Sequence, residues 1–172
     1  MKNETKHLKL AQIVRILLDR KEPTSEQLSW INQYWSSERI VELAGDRNSG
    51  RTLIGSSLVI TDAIANPRTY HIVVSKNIDQ AFSLCKFMNG LLTHRMKSFI
   101  SRINRQEIQL YNGSMILFKS LSPYSFRGIS AKNVFLDLSV KSLSEINHEV
   151  MASVVPCIAH SGGKLVVSLE NP

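Results

Sequence analysis

Gly45-Asp46-Arg47-Asn48-Ser49-Gly50-Arg51-Thr52 fits the pattern G-x-x-x-x-G-K-[ST] at every fixed position but one. An apolar, strand-like run precedes it, Arg39-Ile40-Val41-Glu42-Leu43-Ala44, and a helical run from about Thr52 to Ile64 follows. Strand, glycine loop and helix in that order make a phosphate cradle. The glycines let the backbone curl and aim its N–H groups at an anion, and the helix start adds a positive dipole. A hydroxyl, here Thr52, suits a magnesium ion. The exception is the lysine, replaced by Arg51: the charge is kept, but as a planar fork instead of a compact ammonium. A glycine-rich strand-to-helix turn with no ligand would satisfy the same residues.

A second strand should bring an acid to the metal. Val134-Phe135-Leu136-Asp137-Leu138 ends an apolar run in Asp137, and the next position, where a general base would stand, is Leu138. Glu145 and Glu170 are the nearest acids downstream, and neither has the expected spacing.

Working outward, residues 6–20 place Leu8, Ile13, Ile16 and Leu17 among basic residues, as in an amphipathic helix. Pro23-Thr24-Ser25-Glu26 reads as a break and a helix start, with Thr24 or Ser25 as N-cap. Tyr70 to Ser75 reads as a buried strand, and Ile78 to about Met96 as a long helix. Asn112-Gly113 between Glu107–Tyr111 and Ser114–Phe118 predicts a hairpin whose turn residues both accept positive φ. Residues 142–159 read as a helix bent near Pro156, and Lys164 to Ser168 as a last strand. Strands alternating with helices predict an α/β fold, a mostly parallel central sheet flanked by helices. Ligands of such sheets bind beyond the carboxyl ends of the strands.

The chain has 172 residues, 43% hydrophobic and 20% charged, which excludes disordered, collagen-like and disulfide-stapled classes. Two cysteines, Cys85 and Cys157, lie in apolar stretches and read as buried reduced thiols. No apolar run reaches the ~18 residues that span a membrane, and the start lacks a signal-like apolar core. A soluble intracellular protein is expected. The net charge of +7 favours acidic partners, nucleic acid first. The segment His94 to Arg105 carries Arg95, Lys97, Arg102 and Arg105 with no acid, enough to neutralise several DNA phosphates. A solvated helix end, where cations favour the dipole, would read the same way. Lys2, Lys6, Lys9, Arg15, Arg20 and Lys21 make the amino-terminal helix a second basic surface.

From about Gln27 to Pro172 the residues resemble the ATPase domain of large terminase subunits, the DNA-packaging motors of tailed phages. The resemblance rests on Arg47-Asn48-Ser49-Gly50-Arg51-Thr52, on Val73-Val74-Ser75 followed by Gln80-Ala81, on Asn112-Gly113-Ser114, and on Arg127-Gly128 before the Asp137 strand. It implies a P-loop NTPase-like core over residues 37–172, with residues 1–36 as a helical segment packed on it. It further implies nucleotide contacts from Gly45, Ser49, Gly50, Arg51, Thr52 and the upstream Gln27, Mg²⁺ on Thr52 and Asp137, and Arg47 as stabiliser of the transferring phosphate.

Arg51, Leu138 and the altered Leu169-Glu170-Asn171-Pro172 segment depart from that family. A nuclease domain is expected to be absent. The leading expectation is a catalytically impaired, phage-encoded subunit in the host cytoplasm. It would bind Mg²⁺ and ATP weakly or not at all, and would contact DNA or a protein of the packaging machinery or host, with an oligomer as one arrangement. The alternatives are an active ATPase component of a split packaging motor, and an interaction protein retaining only the fold.

Overall fold

The computed structural model describes residues 11–36 and 38–171. Lys2, Lys6, Leu8 and Lys9, assigned above to the first helix, lie outside the described residues. Helix α1 covers residues 11–17. Next come α2 (Ser25–Trp35), β1 (Ile40–Gly45), α3 (Arg51–Ala65), β2 (Tyr70–Ser75) and α4 (Ile78–Arg95). Strands β3 (Ile100–Ile103), β4 (Glu107–Leu110), β5 (Met115–Ser120) and β6 (Ala131–Val140) follow, then α5 (His148–Ala159) and β7 (Lys164–Glu170).

The strands form one sheet in the order β1-β7-β6-β2-β5-β4-β3. Neighbours from β1 through β5 run parallel, and the β5-β4-β3 edge is antiparallel. Alternate residues of the central strands enter two different cores, which is why these strands read as unbroken apolar runs. Val73, Phe135 and Val166 pack with α1 to α4 on one face. Ile72, Val74, Val134, Leu136, Leu165 and Val167 pack with α5 on the other. Val14, Leu17, Trp30, Ile31 and Tyr34 of the first two helices are buried in the first of these cores. Cys85 and Cys157 are both buried and unpaired.

Local chemistry explains most boundaries. Thr24 is the N-cap of α2: its hydroxyl accepts from the Gln27 N–H, and the Gln27 amide oxygen accepts from the Thr24 N–H. Asn77 caps α4 by accepting from the Gln80 N–H. Gly55 lets α3 lie against the Phe135 ring, where an added Cβ would stand 2.3 Å from Cζ.

Two expectations need correction, and a third holds with a detail added. The basic segment after α4 does not continue as a helix end, because Met96 leaves the helical region and a short 3-10 turn leads into β3, a sheet edge. The expected hairpin is present, with β4 antiparallel to β5 across Asn112-Gly113, and its turn takes positive φ at Gly113 alone (84°). Asn112 instead donates its amide to the carbonyls of Ala63 (2.8 Å) and Ile64 (3.0 Å), pinning the turn to the end of α3. The last helix starts at His148, capped by Asn147, after a separate 3-10 turn at Leu143–Glu145.

Candidate nucleotide site

The glycine loop leaves β1 at its carboxyl end and delivers the chain to α3. Two residues take left-handed backbone, Asn48 (φ 74°) and Gly50 (φ 91°). At Gly50 a side chain would be strained by the positive φ, and its Cβ would also press on Gln27 Nε2, 2.7 Å away. That nitrogen donates to the Ser49 carbonyl at 2.8 Å. Both ends of the Gln27 amide are therefore engaged, one in the α2 cap and one in bracing the loop. The other end of the loop is held from β7: the Asn171 N–H donates to the Gly45 carbonyl (3.2 Å) and its side-chain amide to Asp46 (3.1 Å).

Arg51 and Thr52 begin α3 and diverge. Thr52 Oγ1 meets the Asp137 carboxylate at 3.1 and 3.2 Å. The strand pairing that places Asp137 beside Ser75 of β2 slips on its other side, between Leu136 and Val140, where β6 runs along β7. Burial raises the Asp137 carboxyl above the usual range, opposed by the Thr52 hydroxyl, the Arg51 cation and the Ser168 hydroxyl. The Arg51 guanidinium is buried and turns to Glu170 at the end of β7, 3.5 Å away. Its Nη1 and the Ser49 hydroxyl are buried with no hydrogen-bond partner among the described residues.

An open cleft of about 510 Å³ starts at Thr52 and Asp137 and runs between the ends of β2 and β6 and the first half of α4. Ser75, Lys76, Gln80, Phe87 and Leu138 also line it. Leu138 is buried and packs with the α5-side core. It can neither accept nor deliver a proton.

The structure thus gathers Gln27, Gly45, Ser49, Gly50, Arg51, Thr52 and Asp137 at one end of the sheet. Arg47 is exposed on the loop and makes no ion pair among the described residues. The four residues assigned to nucleic acid lie elsewhere and do not act alike. Arg95 is engaged internally, donating to the Leu17 carbonyl (3.0 Å) and pairing with Asp19 (3.3 Å). Lys97, Arg102 and Arg105 are exposed along the β3 edge. Sequence reasoning missed Lys76 and the Arg51–Glu170 pair. Lys76 could have been found as the residue just after a buried strand that ends beside the Asp137 strand. The Arg51–Glu170 pair joins residues 119 positions apart and has no local signal. No helix is long and apolar enough to cross a membrane, and no cluster of three metal-ligating side chains occurs, among the described residues.

No protein-family model matches the sequence, and no curated protein does. Solved structures do match. The large terminase ATPase domain of Thermus phage P74-26 superimposes with a TM-score of 0.70 at 18% identity, over 92% of this chain and 68% of that one. The bacteriophage HK97 large terminase gives 0.72 at 12% identity, over 87% of this chain and 33% of its own. The large terminase of a thermophilic bacteriophage, solved in complex with ADP, gives 0.62 at 13%, over 86% and 39%. At these identities the likeness is one of fold, and the fold is that of a large-terminase ATPase domain. The chain spans about a third of the HK97 protein.

Proposed function

We propose that this chain is a terminase-like nucleotide-binding subunit that has lost hydrolysis. It takes a magnesium–nucleoside triphosphate weakly at the Gly45–Thr52 loop and acts by binding DNA or a packaging partner in the infected host cytoplasm. One observation carries the reading: the Thr52–Asp137 pair is kept at 3.1 Å while the adjoining base position holds Leu138. A protein of the same fold, the thermophilic bacteriophage terminase above, has been solved with ADP and with ATP-γ-S, which supports a nucleotide as the ligand.

The residues present fit such a ligand. The Ser49 hydroxyl and Arg51 Nη1 are buried polar groups without partners among the described residues, at the loop where phosphate oxygens would sit. Thr52 and Asp137 would hold Mg²⁺, which when bound screens the phosphate charge. Gly50 and Gln27 keep the loop curled. Hydrolysis needs more than binding: a water must lose a proton as it attacks, and a positioned base contributes about 10²–10⁴-fold. Leu138 offers no such group. Arg47 would serve a transferring phosphate only in the alternative reading, an active component of a split motor whose base comes from another chain. Retention of the Thr52–Asp137 pair favours that alternative over a protein that keeps the fold alone. Lys97, Arg102 and Arg105 provide the surface for DNA.

Titration of a fluorescent ATP analogue with Mg²⁺ tests the binding, with Thr52→Ala as control. Saturable binding that Thr52→Ala weakens is expected. No binding at millimolar nucleotide rejects the loop's role. Steady-state ATPase assays with and without DNA should show no turnover above background, and turnover abolished by Asp137→Ala would establish the active-motor alternative.

A further inference from the structure

We propose that Lys76 supplies the cation for the terminal phosphate of the bound triphosphate, in place of the lysine that the loop lacks. This inference rests on the nucleotide reading above. Arg51 stands where the loop lysine would, but its guanidinium is drawn to Glu170 at the end of β7. In the sheet, β7 and β2 flank β6 on opposite sides. Arg51 is thus held on one side of the Asp137 strand, and Lys76 approaches from the other.

Lys76 directly follows Ser75, the residue whose strand position pairs with Asp137. Neighbouring strands lie ~4.8 Å apart, so a four-carbon stem reaches across that gap. The lysine lines the cleft that contains Thr52 and Asp137, and it is the one basic side chain among the described residues lining it. It is exposed, and no carboxylate pairs with it among the described residues. Helix α3 presents its amino-terminal end to this cleft at Thr52, which adds positive potential, while α4 lines it along its first half. With Leu138 in the base position, the described residues lining the cleft offer one exposed cation and no carboxylate besides Asp137. That set retains a triphosphate instead of cleaving it.

A terminal-phosphate contact distinguishes ATP from ADP, and a contact to the loop does not. Equilibrium titrations of the full chain with fluorescent ATP and ADP, each with Mg²⁺, therefore separate the two. Lys76→Ala should weaken ATP about tenfold, the usual scale of a charge-assisted hydrogen bond, and ADP by less than about twofold. Lys76→Arg should restore most of the ATP affinity. Circular dichroism should show an unchanged fold, since the side chain is exposed. Equal loss for both nucleotides, or no loss for either, overturns the role of Lys76 and leaves the nucleotide reading standing. Absence of binding by the unaltered chain overturns the nucleotide reading and this inference with it. Unchanged ATP affinity with weakened duplex-DNA binding would overturn the phosphate role and place Lys76 on DNA instead.

Discussion

His71 should make the fold lose stability in mild acid. Its ring is fully buried on β2. Nε2 lies 2.8 Å from Thr69 Oγ1, whose own proton goes to the Asn66 carbonyl at 2.7 Å, so Nε2 must carry the hydrogen. Nδ1 lies 3.2 Å from the Asn133 amide nitrogen, which also donates to Asp62 at 2.7 Å, so Nδ1 is an acceptor. The network is complete with a neutral imidazole, and a proton on Nδ1 would set donor against donor. The Asp62 carboxylate, 4.0 Å from Nδ1, favours the charged ring. Burial, aided by the Lys132 cation, outweighs it and lowers the His71 pKa from 6.5 to about 3. The unfolded chain takes up a proton near pH 6.5 that the folded chain refuses until about pH 3. The stabilisation is therefore complete above pH 6.5 and is lost progressively as pH falls from 6.5 toward 3. Between about pH 7 and pH 5 the linkage relation gives a loss of about 2 kcal/mol from this one group. Urea unfolding at about pH 7, 6 and 5 of the unaltered chain and of His71→Gln measures it. The variant should lose most of that pH dependence, while the imidazole resonances of His71 should stay fixed down to about pH 5. Matching pH slopes in the two proteins, or an imidazole titrating near its ordinary value, would refute the reasoning.

Other outcomes follow from single positions. Gly55→Ala puts a Cβ 2.3 Å from Phe135 Cζ, and overpacking of this kind should cost about 1–3 kcal/mol in urea unfolding. Arg51→Lys removes the fork that reaches Glu170 and restores a compact ammonium at the loop, so nucleotide affinity should rise. Unchanged or weaker binding in the same titration would mean that the loop shape, not the side chain, limits affinity. Combined Arg102→Ala and Arg105→Ala should flatten the dependence of log DNA affinity on log salt by about 2, roughly 0.9 per lost phosphate contact. An unaltered slope would remove the β3 edge from the DNA surface.

Much of the site was legible because its signals are local. The Gly45–Thr52 loop announces itself by glycines between an apolar strand and a helix, and Asp137 by its place near the end of an apolar run. The parallel sheet was legible in β2, β6 and β7 because strands buried on both faces exclude most polar residues. The β3 edge was not: a strand of four residues with two exposed positions carries no alternation to read. The hairpin at Asn112-Gly113 was legible, but the bonds from Asn112 to the end of α3 had no local signal. What Arg51 does could not be read either, because its partner is fixed by the β1–β7 pairing, which sets Gly45 beside Glu170.

Retention of a triphosphate without cleavage is the central claim, and one experiment reads both halves of it. The full chain, in excess over ATP labelled at its terminal phosphate, is held with Mg²⁺, and bound label and released phosphate are followed over time. The label should stay with the protein as intact ATP and leave when Mg²⁺ is chelated. Phosphate release that depends on Asp137, or a failure to retain label at any attainable concentration, would contradict it.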